Sequence, residues 1–184
     1  MNFYILAGGR SKRMRRNKAL LIIDDVPVIE RVVRVIPTQT GCIKIVTNSP
    51  AEYSFLGLPM IGDVHRNVGP IAGIHAGLLD SGSEASFFLA CDLPFISTAT
   101  IEMVCSRYSN QNALAIRIER GPEPLCAIYS RACLSVIEIQ IKKKQVSLHG
   151  LLSAVKAEFV ELTNARSLFN LNTPGDLREI TRNE

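Results

Sequence analysis

The 184-residue chain predicts an α/β fold built on a mainly parallel sheet. Short apolar, β-rich segments alternate with segments of helical periodicity, which is the pattern of repeated strand–helix–strand units. Apolar residues make up 47% of the chain and charged residues 21%, the balance of an ordinary globular domain. We therefore expect a single domain over residues 1–184 that needs neither disulfides nor a structural metal.

The predicted strands are segments where apolar and β-branched residues cluster without helical spacing. They are Asn2–Leu6, Lys44–Thr47, Ser86–Ala90, Ala113–Ile118 and Leu125–Tyr129. Ligands of such sheets bind outside the carboxyl ends of the strands. The loops that follow these segments are therefore where we expect the chemistry.

Helices are predicted where apolar residues recur every three or four positions behind a capping residue. Pro27–Ile36 carries a broad apolar stripe, Ser97–Tyr108 opens with a serine cap, and Arg131–Ile141 has a helical pattern. Pro70 is expected to open a further helix, and the last one is predicted to begin at Thr173.

Composition excludes several classes of protein. No apolar run approaches the ~20 residues that span a bilayer, and the first apolar stretch precedes the first positive charges, the reverse of a signal peptide. We therefore expect a cytoplasmic protein. The five cysteines form no CxxC pair, which favours reduced, mostly buried thiols. Without an HExxH or GxSxG motif, metalloprotease and serine hydrolase activities have no support.

The first loop places two glycines directly after a strand and follows them with six cations. Gly8 and Gly9 let backbone N–H groups approach an anion that Arg and Lys neutralise. The cations are Arg10, Lys12, Arg13, Arg15, Arg16 and Lys18. They predict a polyphosphate cradle, although composition alone equally permits an RNA-binding or merely solvated loop. The chain has no Gly-Lys pair and no GxGxxG, so the cradle is neither a P-loop nor a dinucleotide fingerprint.

Glycines at positions 69, 73 and 77 share one face if a helix begins at Pro70, because they stand four residues apart. That face admits either a ligand or a neighbouring strand, and packing grounds favour the strand.

Asp92 closes an apolar strand whose continuation Pro94 prevents. A lone carboxylate at the carboxyl end of a strand, across from a phosphate cradle, is well placed to hold Mg²⁺ against phosphates. The alternative, of equal weight on these residues, is that Asp92 only caps the next turn.

Asn170 and Asn172 alternate with apolar residues, so both side chains share one face if the stretch is extended. Two such amides can ligate a metal or hold a polar substrate. They are equally compatible with turn positions.

Taken together, these segments resemble the molybdenum cofactor guanylyltransferases, the molybdopterin-guanine dinucleotide biosynthesis protein A family. The family's opening motif, similar to LAGGxSxRMGxDKALL, stands here as LAGGRSKRMRRNKALL at residues 6–21. GPIAGIHAGL, ACDLPF, EPLCAIYS and FNLNTPGDL follow in the family's order, so the resemblance runs from Leu6 to Leu177.

The resemblance implies a Rossmann-like, doubly wound sheet of the nucleotide-diphospho-sugar transferase type. It also implies one reaction, in which the phosphate of molybdopterin attacks the α-phosphate of GTP and pyrophosphate leaves. The cofactor would be Mg²⁺. The implied partners are GTP, molybdopterin delivered in protein-bound form, and the apo-molybdoenzymes that receive the product, with no membrane and no nucleic acid.

By the same resemblance, residues at the strand ends, in the loops that follow them and in the helix predicted from Pro70 hold the nucleotide. These are Leu6, Ala7, Gly8, Gly9, Lys18, Asn48, Asp63, Gly73 and Asp92. Arg13 and Lys18 would contact the phosphates and, with Asp92 as the Mg²⁺ ligand, form the catalytic set. Asn170 and Asn172 would lie on the acceptor or metal side.

Three other functions compete with this one. A molybdopterin cytidylyltransferase or another sugar-phosphate-type nucleotidyltransferase shares the fold, although the LAGG start resembles the guanylyl branch. A nucleic-acid-binding domain is disfavoured because aromatic residues are 6% of the chain and Trp is absent. A catalytically silent GTP-binding relative stays open because Arg15 and Asn17 stand where the family motif has Gly and Asp.

Arg15 gives the first testable expectation. Arginine cannot adopt a positive φ as freely as glycine, so the loop is expected to be reshaped and the acceptor site narrowed by the larger side chain. Arg15→Gly should therefore change kcat or KM in a nucleotidyl-transfer assay. If both constants stay unchanged, Arg15 neither impairs nor redirects catalysis.

Overall fold

The computed structural model describes residues 1–8, 17–37, 41–163, 165–169 and 171, which surround one large central sheet. The strands are β1 (Asn2–Leu6), β2 (Ile22–Ile23), β3 (Val26–Pro27), β4 (Ile43–Val46), β5 (Met60–Ile61), β6 (Ala85–Ala90), β7 (Ala113–Ile118), β8 (Gly121–Ser130) and β9 (Glu158–Glu161). The helices are α1 (Val28–Arg34), α2 (Pro70–Asp80), α3 (Thr98–Arg107), α4 (Leu134–Lys142) and α5 (Leu148–Ala154).

Seven strands form the sheet, in the order β5-β4-β1-β6-β8-β7-β9. Pairing is parallel between β1 and both β4 and β6, between β4 and β5, and between β7 and β9. Only β8 runs antiparallel to its two neighbours, β6 and β7. Strands β2 and β3 form a separate antiparallel hairpin. The predicted mainly parallel α/β fold is therefore confirmed.

Two apolar layers cover the sheet, one on each face, as a doubly wound fold requires. Because successive side chains of a strand point to opposite faces, β1 contributes Phe3 and Ile5 to one layer and Tyr4 and Leu6 to the other. The first layer includes buried residues of α1 and α3, and the second includes those of α2, α4 and α5. Burial on both faces explains why β1 and β6 are almost continuously apolar.

The predicted helices agree with the structure within a few residues. Helix α2 begins at Pro70, and α3 begins behind Ser97, whose hydroxyl accepts a hydrogen bond from the backbone N–H of Thr100 at 3.2 Å. A 3₁₀ turn at Arg131–Cys133 precedes α4. The helix predicted from Thr173 lies outside the described residues.

The sequence patterns do not predict β2, β3, β5, β9 or α5, and they place the start of β8 too late, at Leu125. Strands of two residues carry no measurable alternation. The early part of β8 contains Gly121, Pro122 and Pro124, which disfavour a strand prediction. Those residues extend past the end of β6, so β8 is an edge there and tolerates residues without an N–H.

Cysteine burial is uneven. Cys126 and Cys133 are buried, Cys91 and Cys105 are partly buried, and Cys42 is exposed. Among the described residues, no helix is long and apolar enough to cross a membrane.

Glycine allows α2 to lie directly on the sheet. A Cβ at Gly77 would stand 2.6 Å from Cε1 of Phe88 and 3.0 Å from Cγ of Tyr4. A Cβ at Gly73 would stand 2.9 Å from Cδ2 of Leu6. Gly73 and Gly77 therefore contact β1 and β6, in agreement with the packing interpretation, whereas a Cβ at Gly69, just before the helix, would meet nothing within 4 Å.

Gly77→Ala tests this close approach. The methyl group should force Phe88 or Tyr4 to move, at a cost of roughly 1–3 kcal/mol that exceeds the gain of about 1 kcal/mol in helix propensity. We expect a lower midpoint in urea unfolding. Gly82→Ala, outside the helix, controls for the loss of backbone freedom, because its Cβ would meet nothing within 4 Å. A Gly77→Ala variant that unfolds at a higher urea concentration than wild type would show that the methyl group is accommodated at a cost below the gain in helix propensity.

Candidate nucleotide site

The parallel strands end along one line. Leu6 at the end of β1 is paired with Val46 in β4 and with Ala90 in β6, and Val46 is paired with Ile61 in β5. The segments that leave these four strands therefore emerge side by side at one edge of the sheet. This carboxyl edge carries most of the described residues that the sequence analysis singled out.

Lys18 and Asp92 face each other at this edge. Lys18 opens a 3₁₀ turn over Lys18–Leu20, and its Nζ lies 3.7 Å from Oδ2 of Asp92, with side chains 18% and 21% exposed. Burial raises the pKa of the Asp92 carboxyl, and the Lys18 ammonium acts against that shift. Ser97, not Asp92, caps α3. The structure places the Asp92 carboxylate opposite a cation.

Asn48 and Asp63 form a second pair, one strand further along. The Asn48 side-chain amide donates from Nδ2 to Oδ2 of Asp63 at 2.9 Å, and the backbone N–H of Asp63 donates to Oδ1 of Asn48 at 3.1 Å. Burial raises the pKa of the Asp63 carboxyl, while the bond from Asn48 opposes the shift. These reciprocal bonds fix the loops after β4 and β5 to each other.

Gly73 brings α2 against this pair. A Cβ at Gly73 would lie 3.6 Å from Oδ1 of Asp63, in addition to its contact with Leu6. Gly73 thus joins Leu6, Asn48 and Asp63 in one neighbourhood. Any larger side chain at position 73 would intrude on it.

Ala7 and Gly8 continue from the end of β1. The Ala7 N–H donates to the carbonyl of Val46 at 2.9 Å, which prolongs the sheet pairing by one residue. A Cβ at Gly8 would meet nothing within 4 Å, so the chain enters open space there. Gly9, Arg13, Asn170 and Asn172 lie outside the described residues, as does Arg15.

Two further residues near Asp92 were not singled out from the sequence. The Glu123 carboxylate contributes to raising the pKa of Asp92. Arg120 donates from Nη2 to Oε1 of Glu123 at 2.7 Å and to the carbonyl of Leu168 at 2.6 Å. Glu123 opens the EPLCAIYS segment, which was the available signal.

The donor set at this edge suits Mg²⁺ held mainly by a substrate. Within the described part of the chain, no three His, Cys, Asp or Glu side chains are grouped to hold a metal. Asp92 is one partly dehydrated carboxylate. Mg²⁺ is commonly bound by one or two carboxylates together with substrate phosphates and water, so a single carboxylate fits this ion where a substrate supplies the phosphates.

Comparison with known proteins agrees with the fold and the motifs. The family model described as the MobA-like NTP transferase domain matches residues 3–160. A probable molybdenum cofactor guanylyltransferase of Flavobacterium johnsoniae is 30% identical over 98% of this chain and 96% of its own. The molybdenum cofactor guanylyltransferase of Desulfosudis oleivorans is 31% identical over 95% of this chain and 91% of its own.

A solved structure is similar throughout. The molybdopterin-guanine dinucleotide biosynthesis protein A of Archaeoglobus fulgidus superposes with a TM-score of 0.83 at 26% identity, covering 99% of this chain and 97% of that one. The similarities confirm the predicted family resemblance, the fold and the assignment to an enzyme class.

The charges of two aspartates are expected to affect the stability of the fold in opposite directions. Burial raises the pKa of Asp92 above its ordinary 3.8, so its charge opposes folding at neutral pH and the opposition ends once pH falls below that value. At Asp80, burial is outweighed by hydrogen bonds from Lys44 and Tyr4, both 2.7 Å long, which lower the pKa. Its charge therefore stabilises the fold above pH 3.8, and this stabilisation is lost as pH falls further.

Asp92→Asn should therefore raise the free energy of unfolding at pH 7.5, and Asp80→Asn should lower it. The Asp92 difference should shrink as pH falls toward 3.8, the ordinary value for aspartate, whereas the Asp80 difference should persist down to that pH and shrink only below it. Urea titrations of the ligand-free protein across this range measure them. A destabilised Asp92→Asn variant at pH 7.5 would mean that the ion pair with Lys18 outweighs the burial of the carboxylate.

Proposed function

Because the chain belongs to the family of MobA-like NTP transferases, we propose that it transfers GMP from GTP to molybdopterin and releases pyrophosphate. The chain is a nucleotidyltransferase, and relatives of matching length are named molybdenum cofactor guanylyltransferases. The observation that supports the proposal most directly is the convergence of the Lys18–Asp92 and Asn48–Asp63 pairs at one edge of the sheet.

The proposed reaction needs charge stabilisation and alignment more than covalent help from the protein. An oxygen of the acceptor phosphate forms a bond to the α-phosphorus of GTP. The bond from that phosphorus to its bridging oxygen breaks, and the electron pair leaves with pyrophosphate. Since the acceptor phosphate is ionised at neutral pH, no general base is required. The protein must neutralise the nucleotide's oxygens and hold the attacking oxygen opposite the leaving one.

Lys18 and Asp92 have different proposed roles on the phosphate side of the site. In the free protein the Lys18 ammonium neutralises Asp92 at 3.7 Å. When a nucleotide enters, the same ammonium can donate to phosphate oxygens, and Asp92 becomes available as the Mg²⁺ ligand. Mg²⁺, when bound there, would supply positive charge to the α-phosphate and the departing pyrophosphate. Arg13 is proposed to add a second cation, with Asn170 and Asn172 on the acceptor or metal side.

Asn48 and Asp63 suit the base and ribose side. Asp63 engages Asn48 through Oδ2, and its Oδ1 faces the neighbourhood of Gly73. A carboxylate accepts hydrogen bonds only, so it favours N–H and O–H donors. Guanine presents two adjacent N–H donors on one edge, whereas cytosine presents a single amino group. Because Oδ2 is already bonded to Asn48, Oδ1 can accept from either base, and the preference for GTP that we propose is supported by the names of the relatives.

The partners of the proposed reaction follow from its substrates. Molybdopterin is expected to arrive bound to a protein, and apo-molybdoenzymes are expected to receive the product in the cytoplasm.

Thermal unfolding with GTP, CTP and ATP, each with and without Mg²⁺, tests the nucleotide. A ligand at 100 times its Kd adds about 2.7 kcal/mol to stability. For a chain of this size that raises Tm by roughly 5–10 °C. We expect the largest shift with GTP and Mg²⁺. A preference for CTP would identify a cytidylyltransferase, and no response to any nucleotide would overturn the proposed function.

In the same experiment, the variant Asp92→Asn tests whether Asp92 holds the Mg²⁺ ion. It should keep a folded state and lose the Mg²⁺-dependent part of the shift, together with most of the molybdopterin-dependent release of pyrophosphate. Near-normal release at saturating Mg²⁺ would remove Asp92 from the site.

A further inference from the structure

Asn17 uses all of its side-chain polar groups. Its Oδ1 accepts a hydrogen bond from the backbone N–H of Ala19 at 3.2 Å and so caps the 3₁₀ turn that Lys18 opens. Its Nδ2 donates to Oε2 of Glu52 at 2.6 Å and to Oη of Tyr53 at 2.8 Å. A primary amide is required for this set, because only it combines one acceptor oxygen with two N–H donors at one position.

These bonds join two segments that are far apart in the chain. Glu52 and Tyr53 lie in a 3₁₀ segment, Pro50–Leu56, that begins two residues after Asn48. Tyr53 is 3% exposed, so it gives the amide a fixed point of attachment in the protein core. Burial raises the pKa of Tyr53 to about 12, which keeps its hydroxyl neutral.

We propose that Asn17 is a positioning residue that fixes Lys18, on the phosphate side of the site, relative to Asn48, on the base side. This role rests on the proposed function. Asn17 does not touch substrate in this proposal, and it acts only through the two residues that it holds in place.

Glu52 explains why an asparagine stands at position 17. An aspartate, which the family motif carries before the lysine, has no N–H to donate to Glu52 and would add a second negative charge within hydrogen-bond distance of that carboxylate. The Asn17–Glu52 pair therefore forms a matched unit in this chain. The departure from the motif then maintains the site and does not mark its loss.

The experiment is a double-mutant cycle on nucleotide affinity. Isothermal titration measures the Kd of the nucleotide ranked first by thermal unfolding, with Mg²⁺, for wild type, Asn17→Asp, Glu52→Gln and the double variant. Loss of a hydrogen bond to a charged group corresponds to about tenfold, which is the weakening that we expect for Asn17→Asp. In the Glu52→Gln background the same substitution should weaken binding less than threefold. Gln145→Glu, in the exposed segment after α4, controls for the added charge and should leave Kd unchanged.

The outcomes separate this role from its alternatives. A purely structural role would lower the Tm of the ligand-free Asn17→Asp variant and leave Kd unchanged, which would overturn the inference. Equal weakening in both Glu52 backgrounds would overturn it as well. A wild-type protein that binds no nucleotide would overturn the proposed function and this role with it, whereas normal wild-type binding with an unaffected Asn17→Asp variant would overturn this role alone.

Discussion

The pairing of β1 with β4 on one side and β6 on the other is the constraint on which the site depends. Because the pairs Leu6–Val46 and Leu6–Ala90 lie on one line, the loops after β1, β4 and β6 begin at the same level along the strand direction. Gly73 and Gly77 then bring α2 onto this line, close enough for the helix to border Asp63. The backbone therefore determines which side chains can meet before any of them forms a hydrogen bond.

The aspartates at the two ends of the parallel strands have different surroundings. At the end opposite the carboxyl edge, Asp80 receives hydrogen bonds from Tyr4 and Lys44, which stabilise its charge and connect α2 with β1 and β4. At the carboxyl edge, Asp63 and Asp92 are partly dehydrated without full compensation. Residues that give up stability in this way are often those that bind ligands, because a bound cation or donor restores the lost interactions. The proposed site therefore lies at the carboxyl edge, where the charges of partly buried aspartates lower the stability of the fold.

Sequence reasoning was most successful where a residue's position in the fold and its chemistry coincide. Asp92 follows the end of the largely apolar strand β6 by two residues, so its place at the carboxyl end of the strands could be predicted, while its role as a Mg²⁺ ligand stays a prediction. The Asn48–Asp63 pair could not be derived from composition, since β5 is only two residues long and gives no strand signal. The resemblance supplied those two residues, and the structure showed that they contact each other.

Asn17 shows a different limit of sequence reasoning. In the sequence, Asn17 is a departure from the family motif. That departure left open the possibility that the chain is a catalytically silent relative. The bonds to Glu52 and Tyr53 join positions more than thirty residues apart, and no local pattern encodes them. Pairwise compatibility of this kind is visible only once the chain is folded.

The central place of β1 also has a consequence for how the chain reaches its fold. This strand is synthesised before both of its partners, since β4 begins at Ile43 and β6 at Ala85. Until β6 has emerged, a strand that is apolar on both faces has one unpaired edge. Contacts of such long sequence separation form slowly, and an uncovered apolar edge invites association with other chains. The segment that organises the finished enzyme is thus exposed to association with other chains while the polypeptide is still being made.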